Sequence, residues 1–413
     1  MNTSLYIHIP FCRHRCAYCD FNTYAGQEDS IPAYVEALSR EIEYVGASAP
    51  AGLTLHTVFF GGGTPSLLSP GQFRLMLDAV RSCFAVSEVA EITIEANPGT
   101  VTQAQLAELR QLGINRISFG AQSANGEELR MLERTHSFLD VMQAVAGARQ
   151  AGFDNLNLDL IYGLPEQHLA TWQMSVKRSL DLHPEHISAY ALTLEHGTPF
   201  GRWTNRGLMP RPDPDAAAEM YEWADEALEA AGYEQYEISN WALKRSTASA
   251  QQWQSAEQPP YACRHNLQYW RMLPYLGLGA GAHGYSNGYR YSNALRIKTY
   301  IERLNHAKPD AKRDYPLSPA AVNQHRQSVQ DDMAEFMITG LRLTREGIEA
   351  REFQRRFGRD VRDVYPREVD EVKALGLLES LIKGVSDDGE ASEMLRLTKR
   401  GRLLGNQVFM RFV

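Results

Sequence analysis

The chain has 413 residues, 44% hydrophobic and 22% charged, and its 42 basic and 50 acidic side chains give a formal net charge of −8. Length and composition exclude a disordered chain, a collagen-like fibre and a small disulfide scaffold, and they suggest two or three domains. The acidic balance argues against a general nucleic-acid coat, no apolar run approaches the ~18 residues of a membrane span, and no secretory signal is evident, so a cytoplasmic protein is expected.

In chain order, two periods alternate through the first half. Leu5–Ile9 is short, apolar and β-prone. Ile31–Gly46 carries Tyr34, Leu38, Ile42 and Val45 at helical spacing. A strand over Thr54–Phe60 precedes a helix over Pro70–Phe84, with Ser69 as N-cap and Pro70 at the first helical position. A strand over Ala90–Ala96 precedes a helix over Gln103–Leu112, where Thr102 and Gln105 are spaced as a capping box. Strand Ile114–Phe119 leads to helix Phe138–Ala151, and strand Asn155–Ile161 to a helix near Ala170–Leu182. Strand His186–Leu194 leads to helix Asp215–Ala231. Six successive βα units predict a parallel sheet with right-handed crossovers, curled into a partial barrel. In barrels the chemistry gathers at the C-terminal ends of the strands. Past Gly232 the alternation stops. Ser246–Gln258 reads as a surface insertion, and Tyr261–Tyr291 is dense in glycine and aromatics. Residues 312–413, with 18 basic and 17 acidic side chains, read as a small, mainly helical domain with a short wing, ending in Leu395–Phe412. The expected division is a core over 1–235, a continuation over 236–305 and a C-terminal domain over 312–413.

The cysteines are few and unevenly placed. Three of the five fall in Cys12-Arg-His-Arg-Cys16-Ala-Tyr-Cys19, directly after the first strand, while Cys83 and Cys263 lie far away. An odd count speaks for reduced thiolates holding metal rather than for a disulfide framework. A CxxxCxxC loop presents three thiolates to one iron–sulfur cubane and leaves the fourth iron open, much as a catalytic zinc keeps an open position. Zinc held by the three cysteines with His14 or His8 is the rival, although the paired CxxC units usual in zinc sites are missing. Phe11, Tyr18 and Phe21 flank the loop and are expected to exclude water.

Gly61-Gly62-Gly63-Thr64-Pro65 ends the second strand. Its glycines permit close backbone approach and could offer N–H groups to an anion; a tight strand-to-helix turn is the plainer reading. Glu95 ends the third strand, Gln122 follows the fourth, and Arg134 lies in the loop beyond. Asp159 interrupts the apolar fifth strand, where a carboxylate is costly unless paired or functional. Each alone reads equally well as a capped turn or a structural ion pair. Together, on consecutive strand ends, they could ring one pocket.

In combination, the CxxxCxxC loop, GGGTP and the strand-three Glu resemble the radical S-adenosylmethionine (SAM) superfamily. Tyr6-Ile-His-Ile-Pro-Phe-Cys12, Phe60-Gly-Gly-Gly-Thr-Pro-Ser66, Glu95-Ala-Asn-Pro98 and Leu158-Asp-Leu-Ile-Tyr-Gly-Leu-Pro165 resemble the oxygen-independent coproporphyrinogen III oxidase family, over nearly the whole chain. The oxidases of that family carry a fourth cysteine two residues after the third, and a long N-terminal extension. Here Phe21 stands at that position and the cluster loop begins close to the N-terminus. The family's haem chaperones (HemW-type) carry H-N-x-x-Y-W, which reads here as His265-Asn266-Leu-Gln-Tyr269-Trp270, so the chain looks like a member of that branch. The resemblance implies an α/β fold: a partial (β/α)6 radical SAM barrel with a small, mainly helical, winged-helix-like C-terminal domain. It implies that Cys12, Cys16 and Cys19 ligate a [4Fe–4S] cluster and that SAM chelates the fourth iron. Tyr6, Gly62, Gly63, Thr64 and Glu95 would then line the SAM pocket. Gln122, Arg134 and Asp159 match positions that contact a second SAM in the oxidase, and Ala191 and His283 fall near further SAM-contact positions.

The H-N-x-x-Y-W residues also have chemistry of their own. A neutral imidazole such as His265 can ligate haem iron, and Tyr269 and Trp270 offer flat faces to a porphyrin. Asn266 and Arg264 could meet propionates or orient the ligand. The plainer reading is a capped turn with its aromatics in the core, and no C-x-x-C-H attachment motif is present. Cys263 reads as an inert thiol. The basic stretches Arg351–Arg362 and Leu395–Arg402 sit in a nearly neutral domain, so nucleic acid is not an expected partner. The expected function is to bind haem and pass it to an acceptor protein, with an electron donor for the cluster; a homodimer is left open. The alternative is a radical enzyme that abstracts hydrogen from a porphyrinogen propionate before decarboxylation.

Overall fold

The computed structural model describes residues 2–244, 258–306, 314–385 and 391–413. The expected insertion at Ser246–Gln258 falls, but for its last residue, outside them. The chain forms two compact units: Met1–Ala227 with Pro274–Arg326, and Leu228–Leu273 with Gln327–Val413. The chain thus leaves the first unit and returns to it, whereas the sequence suggested consecutive segments.

In the first unit, six strands lie side by side in chain order: β1 (Asn2–Ile9), β2 (Thr54–Gly62), β3 (Ala85–Ala96), β4 (Arg116–Gln122), β5 (Leu156–Tyr162) and β6 (His186–Ala191). Every neighbouring pair is parallel, as βα crossovers require. The two-residue period of β1 separates its faces. Leu5, Ile7 and Ile9 are fully buried. Between them stand Ser4, Tyr6 and His8: Ser4 accepts a bond from Thr57, and the Tyr6 hydroxyl bonds the His8 ring. The first helix, Ile31–Gly46, buries the predicted stripe of Tyr34, Leu38, Ile42 and Val45. Helices Pro70–Cys83 and Gln103–Gln111 open with reciprocal caps at Ser69–Gln72 and Thr102–Gln105, each cap contributing about 1 kcal/mol.

Two departures from the sequence matter for the site. β6 ends at Ala191, three residues before the predicted Leu194, because Leu192, Thr193 and Glu195 leave the sheet to line a cavity. On the far side of β1 the sheet continues. Tyr275–Leu278 pairs parallel to β1, and His283–Ser286, Tyr289–Asn293 and Ala321–Arg326 follow antiparallel. Ala321–Arg326, expected in the C-terminal domain, is therefore a strand of the first unit. These strands cover the edge that β1 would otherwise leave with unpaired backbone groups.

The second unit contains the hairpin Tyr233–Glu237/Asn240–Leu243 and the helix Arg264–Trp270. It also contains helices Val329–Gly340, Ala350–Phe357 and Pro366–Ala374, and a three-stranded antiparallel wing in the order Ile348–Glu349, Ala391–Leu397, Leu378–Val385. The mainly helical domain with a short wing expected from the sequence is present. Leu395 and Leu397 alternate as buried residues of a strand before two short helices, Lys399–Leu403 and Gly405–Phe409.

Candidate functional site: a three-thiol cavity

A cavity of about 520 Å³ lies at the C-terminal ends of β2–β6 in the first unit. Cys12, Cys16 and Cys19 line one wall. The loop that carries them is pinched at its base, where Phe11–Cys12 pairs with Tyr24–Ala25 and the Tyr24 N–H donates to the Pro10 carbonyl at 2.8 Å. The Thr64 hydroxyl donates to Cys12 Sγ at 3.6 Å, and Arg134 Nη1 donates to Cys16 Sγ at 3.9 Å. Burial pushes the Cys12 and Cys19 thiols up; the bond from Thr64 to Cys12, and the Phe21 backbone at Cys19, oppose it.

Among the described residues, no three His, Cys, Asp or Glu side chains converge closely enough for a single metal ion. A cubane is larger than an ion, and three thiols spread along one wall fit it better. Both histidines of the zinc alternative have other partners. His8 Nε2–H donates to the Asn22 carbonyl at 2.9 Å, while its Nδ1 accepts from Tyr6 at 2.9 Å. His14 is exposed, with Nε2 at 2.9 Å from the Glu133 carboxylate. Of the three aromatics expected to exclude water, Phe11 is fully buried and Tyr18 packs on Phe200, but Phe21 is 63% exposed. It forms part of the cavity rim and does not seal it.

The glycine turn does something other than offer N–H groups to an anion. Its amides are already used: Gly62 N–H donates to Glu95 Oε2 at 3.0 Å, Gly63 N–H to the Ile9 carbonyl and Thr64 N–H to the Phe11 carbonyl, both at 2.8 Å. The glycines are there for closeness. Gly62 has φ +111°, and a Cβ on it would lie 2.4 Å from the His8 ring. A Cβ on Gly63 would lie 2.6 Å from the Phe11 carbonyl and 3.1 Å from Cys12 Sγ. The turn is thus laced directly onto the thiol loop.

Gly62, Gly63, Thr64, Glu95, Gln122, Arg134, Asp159 and Ala191 all face the same cavity. Burial, reinforced by the charge of Asp159, pushes the Glu95 carboxyl up to about 7, against the Gly62 N–H and Arg116. Asp159 is the one residue of β5 that is not buried. Ser118 donates to its Oδ2 at 2.7 Å and Asn157 to its Oδ1 at 2.9 Å. The Asn157 amide is in turn oriented by His186 Nδ1–H at 2.6 Å. Arg134 Nη2 donates to the Gly120 carbonyl at 3.0 Å, and its buried Nε has no partner among the described residues. Gln122 sits at φ +65°, where a bulge turns β4 away from β5.

Two predicted residues stand off the cavity wall. Tyr6 is held behind it by His8 and stacked on Phe59, and His283 is exposed on a neighbouring strand. One residue went unnoticed in the sequence. His136 Nε2–H donates to the Ala121 carbonyl at 3.1 Å and pins the loop bearing Arg134, while burial, with help from Arg134, pushes its ring down to about 4. Nothing but its proximity to Arg134 could have signalled it.

The H-N-x-x-Y-W segment is the helix Arg264–Trp270 of the second unit. His265 is 1% exposed, and its Nε2 bonds the Tyr269 hydroxyl one turn later at 2.9 Å. Arg264 is exposed, while Asn266, Tyr269 and Trp270 are half-buried. The Arg342 guanidinium lies 4.3 Å from the Trp270 ring centre. Cys263 is fully buried, as an inert thiol would be.

Residues 6–178 match the family model of the radical SAM superfamily, and residues 327–386 match that of the HemN C-terminal domain. The haem chaperone HemW of Bacillus subtilis is 35% identical over 99% of this chain and 99% of its own. HemW of Escherichia coli is 41% identical over 68% of this chain and 69% of its own. The mitochondrial radical S-adenosyl methionine domain-containing protein 1 of Danio rerio is 37% identical over 69% of this chain and 60% of its own. Among solved structures, coproporphyrinogen III oxidase (HemN) from Escherichia coli, a radical SAM enzyme, shares the fold. It matches with a TM-score of 0.79 at 23% identity, over 99% of this chain and 89% of that one. With its similarity to a haem chaperone running from end to end of both chains, this chain belongs to the HemW family of radical SAM proteins.

Proposed function

We propose that the protein is a haem chaperone that binds haem and passes it to an acceptor protein, and that it carries a [4Fe–4S] cluster ligated by SAM. The observation that carries this reading is the full-length similarity to a named haem chaperone. The donor set fits the cluster: three thiols on one wall leave one iron for an exogenous ligand. The rest of the cavity fits SAM, which carries an ammonium, a sulfonium and a carboxylate. Glu95 and Asp159 complement the cationic groups, Arg134 the carboxylate, and Gly62 and Gly63 keep the wall free of side-chain bulk. A bound cluster with SAM supplies one-electron chemistry. The chain's residues position it, and Ile161, Tyr190 and Leu192 limit water on the far wall.

In this reading His265, Asn266, Tyr269 and Trp270 meet the haem, and the protein works in the cytoplasm. Among the described residues no helix is long and apolar enough to cross a membrane. Hemin titration of anaerobically reconstituted protein, followed in the Soret band, tests the proposal beside His265→Ala. Stoichiometric binding by wild type and its loss in a folded His265→Ala support it. Equal binding in both removes His265 from the site, and no binding by either sinks the chaperone reading. A porphyrinogen-directed radical enzyme is the second reading, favoured by Gln122, Arg134 and Asp159 on the cavity wall. Release of 5′-deoxyadenosine with porphyrinogen tests it.

A further inference from the structure

Phe21 is 63% exposed only two residues from Cys19. Its surroundings form one surface. Asn22 Nδ2 and the Tyr24 hydroxyl donate to the Leu295 carbonyl at 3.0 and 3.2 Å, which holds residues 295–296 against the thiol loop. Leu295 is 57% exposed. Arg13 and Arg15 in the thiol loop, and Arg296 next to Leu295 in sequence, are exposed. Arg15 Nη2 donates to the Phe21 carbonyl at 3.4 Å, and the charges of both Arg15 and Arg296 reach the Tyr24 hydroxyl. Of the nearby acids, Glu133 is paired with His14, and Asp20 is the only acidic residue between Cys12 and Ala25. A chain with a net charge of −8 therefore presents an arginine-framed apolar patch at its thiol loop.

We infer that this patch, Phe21 and Leu295 ringed by Arg13, Arg15 and Arg296, is the docking surface for an acidic one-electron carrier protein. The inference rests on the reading that Cys12, Cys16 and Cys19 hold a cluster. An apolar centre within a charged ring is the anatomy of a transient interface, and small contacts of this kind suit electron-transfer encounters. The arginines complement an acidic partner and steer its approach. The position decides the occupant: Arg13, Arg15 and Phe21 belong to the same loop as the three thiols and rim the cavity those thiols line, so a carrier seated there delivers its electron beside them.

The test is stopped-flow reduction of the reconstituted protein, followed by bleaching of its iron–sulfur absorbance. The probe is a reduced flavodoxin, an acidic flavin protein, and dithionite is the reductant that needs no docking. Arg296→Glu lies outside the thiol loop and should leave the cluster intact; Arg15→Glu and Phe21→Ser probe the loop itself. The expected result is at least an about tenfold slower second-order reduction of Arg296→Glu by flavodoxin. Wild-type reduction should slow with rising salt, and the dithionite rate should not change. Wild-type rates in both charge reversals, salt-independent reduction of wild type, or no reduction by flavodoxin where dithionite succeeds each overturn the docking surface while leaving the cluster in place. Wild type that holds no iron and sulfide after reconstitution overturns the cluster reading, and this inference with it.

Discussion

The thiol cavity of the first unit and the His265–Trp270 helix of the second are both conspicuous in the sequence, yet they are built on opposite terms. In the cavity, residues more than 100 positions apart converge, and their polar groups are held from behind while their working faces stay open. Asp159 is fixed by Ser118 and Asn157, and the glycine turn is tied to the thiol loop by its own amides. In the helix, residues one turn apart satisfy each other: His265 Nε2 is spent on Tyr269 and the imidazole is buried. The first site is preorganised. The second must exchange an internal bond for its ligand if His265 is to meet iron through Nε2, and that exchange subtracts from affinity.

The largest expected effect that sharpens this contrast is at the thiols. Cys12→Ser should abolish the visible iron–sulfur absorbance and the bound iron while leaving far-UV circular dichroism unchanged; retention of full iron would remove Cys12 from the site. Next, Gly62→Val places a side chain at φ +111° and drives its Cβ into the His8 ring. Backbone strain and overpacking together should cost on the order of 3 kcal/mol, read by chemical denaturation. A near-neutral effect would show that the two loops are not locked together.

Glu95 gives a pH signature. Its carboxyl is raised from 4.5 to about 7 in the folded chain, so the fold prefers it protonated. That contribution is fully present below about pH 4.5 and is lost as pH rises through about 7. Glu95→Gln should remove this slope, a difference on the order of 1–3 kcal/mol between the two proteins across the window. Asp159→Asn should shift the window downward, because it removes the second carboxylate. Identical pH profiles for wild type and Glu95→Gln would show that Glu95 is not under strain. The smallest effect belongs to the helix. Tyr269→Phe breaks one hydrogen bond, at about 1 kcal/mol of stability, and releases Nε2. Hemin binding should be retained or tightened, and its abolition would make Tyr269 itself a haem contact.

Much of the first unit was legible because its signals are local. The stripe of Ile31–Gly46, the caps at Ser69 and Thr102 and the alternating βα periods depend on residues a few positions apart. The spacing of the three cysteines is local in the same sense. The strand at Tyr275–Leu278 was not legible: four residues with two glycine-flanked leucines carry little period, and only the open edge of β1 makes them a strand. The same holds for Ala321–Arg326, whose polar, exposed residues read as part of the C-terminal domain until they are paired with Tyr289–Asn293.

The sequence by itself determined the six βα units, the three-thiol loop, the glycine turn and the acidic strand ends, because each is specified by short-range spacing and by the cost of a charge in an apolar strand. Tertiary structure alone decided how those parts are used. It spent the amides of the glycine turn on the Glu95 carboxylate and the Ile9 and Phe11 carbonyls, tied His136 to the Ala121 carbonyl near the Arg134 loop, and raised Glu95 by setting it in a buried wall beside Asp159. It left Phe21 in solvent and turned His265 inward. Exposure, pairing and proton affinity depend on what the rest of the chain brings alongside a residue, and no local pattern contains that.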